Sequence, residues 1–175
     1  MTRPELEHII RAGAAIVGDS HLVVIGSQAI LGQYPGAPIE LLLSMEADVY
    51  PKHHPENAIV IDGAIGELSM FHETFGYYAH GVAPETATLP DGWQDRVVAV
   101  CNANTNGLTG ECLEAHDLAV SKLAAGREKD MDYVRVMVLG GLAEATILRR
   151  RIDQTSHLEE VDRQRLHQRL HRAML

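Results

Sequence analysis

The stretch His21-Leu22-Val23-Val24-Ile25-Gly26-Ser27-Gln28-Ala29-Ile30-Leu31 decides the fold. Residues 21–25 are mostly apolar and rich in β-branched types, which reads as a short buried strand. Gly26 lets the backbone turn tightly, and Gln28 opens a helix. A helix start offers unbonded N–H groups to an anion, and the Ser27 hydroxyl adds one donor. Gly-Ser between strand and helix is also an ordinary turn and cap, so the dipeptide alone does not define a site.

Ser44-Met45-Glu46-Ala47-Asp48-Val49-Tyr50 follows and reads as a second strand ending at Pro51. Residues two apart on a strand share a face, so Glu46 and Asp48 present their carboxylates side by side. Like charges this close call for a cation, and oxygen ligands suit Mg²⁺. Mg²⁺ is commonly held by one or two carboxylates together with substrate phosphates, so a phosphate cradle nearby would complete the site. The competing reading is a solvent-facing strand of alternating polarity. The apolar neighbours Leu41, Leu42, Leu43, Ala47 and Val49 weigh against it, because acids on a covered strand need a reason.

Outward from these motifs the pattern is mixed. Leu6, Ile9, Ile10, Ala14 and Val17 recur at helical spacing after Pro4, and Gly18 closes that helix. Residues 56–71 read as one helix weakened by Gly63 and Gly66. Residues 77–82 and 96–101 are strand-like and are expected to form a hairpin across the Pro90-Asp91-Gly92 turn. Residues 102–110 read as loop, and everything from residue 111 onward reads as helix. In the last helix Leu158, Val161, Leu166, Leu170 and Met174 are expected to share a buried stripe. The expected organisation is an α/β (α+β) core over residues 1–140, with a helical extension over 141–175 packed on the same domain.

Four stretches carry a resemblance. They are Ile25-Gly26-Ser27-Gln28-Ala29, Glu46-Ala47-Asp48-Val49, Gly92-Trp93 with Asp95-Arg96, and the run from His116-Asp117-Leu118 through Lys122 to Arg127-Glu128-Lys129-Asp130. The first two together resemble the signature of the nucleotidyltransferase superfamily. Over most of its length the chain resembles a bacterial family of short nucleotidyltransferase-like proteins linked to the AbiEii group of toxin–antitoxin components. The resemblance implies a mixed sheet flanked by helices and a nucleoside-triphosphate site. It implies Gly26 and Ser27 as the phosphate-binding turn, Glu46 and Asp48 as Mg²⁺ ligands, and Lys122 as a catalytic lysine reaching the substrate from a later helix. The implied chemistry is attack of an acceptor hydroxyl on the α-phosphorus, with pyrophosphate leaving. Two departures stand out. The first acid is Glu46 where the pattern has Asp, and the third acid is not evident. Asp95 is the first candidate for it, with Asp62 and Asp130 as alternatives.

Whole-chain properties narrow the class. The net charge of −9 argues against a general nucleic-acid coat protein, and DNA is not an expected partner. Residues 149–175 nevertheless hold seven arginines against four acids, a hint of an anionic partner set against an ordinary solvated helix face. Cys101 and Cys112 fit no zinc spacing and are expected to be free thiols in a cytoplasmic protein. Neither a leader nor a membrane span is expected. The histidines show no spacing that puts two on one helix face beside an acid, so a zinc hydrolase is not supported. Trp93 is read as a loop anchor or a base-stacking platform. The expectation is a Mg²⁺-dependent nucleotidyltransferase acting on RNA (tRNA) or a protein acceptor in a toxin–antitoxin context. The alternatives are a degenerate member serving as a binding or antitoxin module, and a small-molecule nucleotidyltransferase.

Overall fold

Helix α1, Arg3–Val17, begins where the sequence sets it. The Glu5 carboxylate accepts from the Thr2 N–H at 2.6 Å, Pro4 occupies the first turn, and Gly18 ends the helix at φ 67°. The computed structural model describes residues 1–175, which divide into two compact units: residues 1–86 with 97–113, and residues 87–96 with 114–175. Residues 141–175 therefore belong to the same unit as residues 114–140.

The first unit holds a five-stranded mixed sheet of order β3-β2-β1-β5-β4. The strands are β1, His21–Val24; β2, Glu46–Pro51; β3, Tyr78–Gly81; β4, Val98–Val100; and β5, Thr109–Cys112. β1 pairs antiparallel with β2 and parallel with β5, while β3 runs parallel to β2. Helix α1 packs on this sheet through Leu6, Ile9, Ile10, Gly13 and Ala14. Leu22, Val24, Ala47, Val49 and Ala79 from the strands complete a core with virtually no exposure.

Three expectations about this unit are corrected. The strands at 77–82 and 96–101 form no hairpin, because β3 and β4 lie at opposite edges and β4 pairs antiparallel with β5 (Val98↔Cys112). Strand β5 itself falls where loop and helix were expected. Gly110 and Glu111 weaken strand propensity there, yet Gly110 is needed: a Cβ at that position would stand 2.3 Å from Ile10 Cδ1. The single helix expected over 56–71 is also two. Helix α3, Ala58–Ile65, ends at Gly66, and α4, Met70–Phe75, restarts with the Ser69 Oγ accepting from the His72 N–H at 3.2 Å. Between β1 and β2 a 3-10 turn, Ser27–Ala29, leads into the short helix α2, Ile30–Gln33.

The second unit is helical: α5, Ala115–Ala125; α6, Glu128–Leu139; α7, Ala145–Asp153; and α8, Glu160–Ala173. The Glu114 carboxylate caps α5 by accepting from the His116 N–H at 3.0 Å. In α8 the buried positions are Leu166, Leu170 and Ala173, whereas Val161 is 64% exposed. The expected stripe fails at Val161 because five helical residues before Leu166 is about 140° off that face. Asp117, fully buried, receives the Arg96 guanidinium through two hydrogen bonds of 2.8 and 3.0 Å and has the Arg151 Nε at 3.4 Å. These contacts tie residues 87–96 to the helices of their unit. No helix is long and apolar enough to cross a membrane, and both cysteines are free.

Candidate functional site

Strand β2 alternates as its sequence requires. Ala47 and Val49 are buried, and Glu46 and Asp48 stand half-buried on the other face. The parallel register of β3 sets Tyr78 beside Glu46 and His80 beside Asp48. The Tyr78 hydroxyl donates to Glu46 Oε2 at 3.0 Å, and His80 Nδ1 lies 2.9 Å from Asp48 Oδ1. One donor atom from each of Glu46, Asp48 and His80 falls within 4.8 Å of the others, a grouping able to hold a metal ion. Within this unit no lysine or arginine pairs with either acid.

The glycine turn meets the acids directly. The Ile25 N–H donates to the Asp48 carbonyl at 3.0 Å, continuing the β1–β2 ladder to the turn. A Cβ at Gly26 would lie 1.9 Å from Asp48 Oδ2, so the carboxylate occupies the space a side chain would need. Gly26 is extended here, with φ −82° and ψ −170°, and its role is close approach rather than a left-handed turn. Ser27 opens the 3-10 turn that follows. Gln28 is fully buried; its side-chain amide donates to the Ser44 carbonyl at 3.3 Å, and its Oε1 has no partner. Ser44 Oγ accepts from the Glu46 N–H at 3.1 Å and fixes the entry to β2.

The charges act on their neighbours. Burial alone would lower the His80 pKa, but the hydrogen bond to Asp48 and the charges of Asp48, Glu46 and Asp62 raise it above its ordinary value. Burial, the Glu46 hydrogen bond and the surrounding carboxylates push the Tyr78 hydroxyl up to about 12.

The other residues singled out by sequence have different surroundings. Asp62 is exposed on α3, and its Oδ1 accepts from the Gly81 N–H at 3.2 Å, at the end of β3. Asp95 is exposed on the 3-10 turn Trp93–Arg96 of the second unit, where Trp93 is half-buried. Asp130 is buried and ion-paired with the Arg127 Nε at 2.6 Å and the Lys122 Nζ at 3.2 Å. Lys122 is itself buried and also sits 5.2 Å from the centre of the Tyr133 ring. Sequence reasoning missed His80 and Tyr78. Their alternation along residues 77–82 was visible, but only the β2–β3 pairing shows that they face the acids.

A family model described as a nucleotidyltransferase of unknown function (DUF6036) matches residues 5–173. No curated protein and no solved structure matches the chain.

Proposed function

The chain belongs to this family of nucleotidyltransferases, and on that premise we propose that its acid face binds a nucleoside triphosphate with Mg²⁺ and transfers the nucleotide to a hydroxyl of RNA or protein. The observation that carries this reading is the convergence of the Gly26 turn on Asp48, with Glu46 and His80 completing the cluster. The donor set fits a divalent cation. Two carboxylates supply hard oxygens suited to Mg²⁺ or Mn²⁺, which leaves the His80 imidazole for proton transfer. When bound, the ion would offset charge on the triphosphate and activate the α-phosphorus toward attack.

The chain's own residues do the rest. Ser27 and the N–H groups of its turn hold phosphate oxygens. Tyr78 keeps the Glu46 carboxylate in place through its 3.0 Å hydrogen bond. Asp48 orients His80, which takes the proton of the attacking hydroxyl on its other ring nitrogen. The new bond joins the acceptor oxygen to the α-phosphorus as the bond to the β-phosphate breaks.

RNA is favoured as acceptor by a cavity of about 320 Å³ in the helical unit, lined by Arg135, Arg169 and Arg172 with one acid, Asp132. Arg169 is anchored by the carbonyls of Leu123 and Ala124 at 2.6 and 2.9 Å, while Arg135 and Arg172 form no ion pair. Guanidinium groups suit phosphate oxygens.

One observation favours a second reading. The position on β3 opposite Asp48 holds His80 and no carboxylate, so the strand pairing supplies no third acid there, which suits binding without turnover. Each labelled triphosphate, with Mg²⁺ or Mn²⁺ and tRNA, separates the two readings when wild type is compared with Asp48→Ala. Transfer abolished by Asp48→Ala supports the enzyme. Asp48-dependent nucleotide binding without transfer establishes the binding module. Transfer that survives Asp48→Ala overturns the site assignment. The toxin–antitoxin setting is tested by whether induction arrests growth and an adjacent gene relieves the arrest.

A further inference from the structure

We propose that Asp19, His21 and His53 form a second, separate metal site of the zinc type at the far end of β1 and β2. One donor atom from each of the three residues lies within 4.8 Å of the others. The grouping is not legible in the sequence, because the sheet register creates it. Leu22 pairs with Pro51, and the Lys52 N–H extends the ladder to the His21 carbonyl at 3.0 Å, so His21, opening β1, and His53, in the bend after β2, arrive side by side. Their rings meet edge to face with centroids 5.6 Å apart.

Asp19 is the fixed member. It is 5% exposed, and its carboxylate accepts from the His21 N–H at 3.0 Å and the His53 N–H at 2.8 Å. His53 Nδ1 lies 2.8 Å from Asp19 Oδ1, and Ser20 Oγ is 2.9 Å from His21 Nδ1. Zinc bonds to nitrogen are about 2.0–2.1 Å, so ligand atoms around one ion stand roughly 3.3 Å apart. The His53 side chain is 56% exposed and free to turn the small distance this requires. Two imidazoles and a carboxylate are the three protein ligands of many zinc centres, with a fourth position left open.

Charge supplies an independent reason. Asp19 is a buried carboxylate without a lysine or arginine partner, and the adjacent Lys52 is engaged by Glu111 at 2.6 Å. A divalent cation would neutralise Asp19. The site is distinct from the Glu46–Asp48 face, since Asp48 and Pro51, the last residue of β2, are already about 10 Å apart along the strand. Its effect would be to pin the start of β1 to the end of β2.

The test uses the full chain carrying Glu46→Gln and Asp48→Asn, which silences the acid face. Zn²⁺ and Co²⁺ binding are measured by equilibrium dialysis, with the visible band of Co²⁺ reporting low-symmetry coordination. One equivalent of tightly bound metal and a Zn²⁺-dependent rise in Tm are expected. Adding His21→Ala or His53→Ala should weaken binding by at least about 100-fold, since losing even an outer-sphere partner costs 10–100-fold. His54→Ala, which alters only a side chain paired with Glu56, should leave binding unchanged. If either histidine variant does not fold, His→Gln at the same position replaces it. Absence of stoichiometric binding, or binding that survives loss of either histidine, overturns the proposal.

Discussion

The acids of the helical unit and those of the sheet face solve the same electrostatic problem in opposite ways. Asp117 takes Arg96 through two hydrogen bonds with Arg151 alongside, and Asp130 takes Arg127 and Lys122. Their charges are answered inside the unit. Glu46 and Asp48 have only a phenol and an imidazole for company. Paired acids are architecture; acids left half-buried without a cation are a demand on something outside the chain. The difference does not belong to the units as wholes. Glu7, in the sheet unit, is buried and fully answered by Arg3, Asn102 and Asn104.

Asp117→Ala should have the largest effect. It leaves two arginines without their partner and is expected to cost about 3–5 kcal/mol in urea unfolding. An equally large loss from Asp48→Ala in metal-free buffer would break the comparison. Gly26→Ala comes next. Its methyl group would have to displace the Asp48 carboxylate, at a cost of about 1–3 kcal/mol. The same variant should abolish any rise in Tm on adding Mg²⁺ or Mn²⁺. Asp48→Asn should change metal-free stability by less than about 1 kcal/mol, because relief of the like-charge contact with Glu46 offsets the weakened His80 pairing. It should nonetheless remove the divalent-dependent stabilisation, which calorimetry with and without metal reads directly.

Acid titration sharpens the contrast most finely. Burial opposes ionisation of Glu7, but bonds from Asn104, Asn102 and Arg3 win and hold its carboxyl below its ordinary 4.5. A group depressed in this way adds stability that is complete above its unfolded value and is lost as pH falls through the folded one. Urea midpoints should therefore drop below about pH 4.5, and Glu7→Gln should flatten that part of the curve. Asp19 should contribute likewise from its own lower starting value.

Period-two alternation made the shared face of Glu46 and Asp48 legible in sequence. The Gly-Ser turn was legible too, although not the reason for its glycine, since only the fold brings the Asp48 carboxylate over Gly26. His80 was hidden because its strand pairs with β2, whereas sequence proximity suggested residues 96–101. Strand β5 was hidden because Gly110 answers to Ile10, a contact across most of the unit's chain length. Local pattern shows which face a residue takes, and long-range pairing decides what that face meets.

The 1.9 Å between a Gly26 Cβ and Asp48 Oδ2 also makes the two positions one unit of variation. While an acid stands at 48, any side chain at 26 must push it aside. Once that acid is replaced by a smaller residue, position 26 is released and free to drift. Among relatives, a side chain at position 26 should therefore mark lineages that have given up the carboxylate at 48, a record of one position's loss written at its neighbour in space.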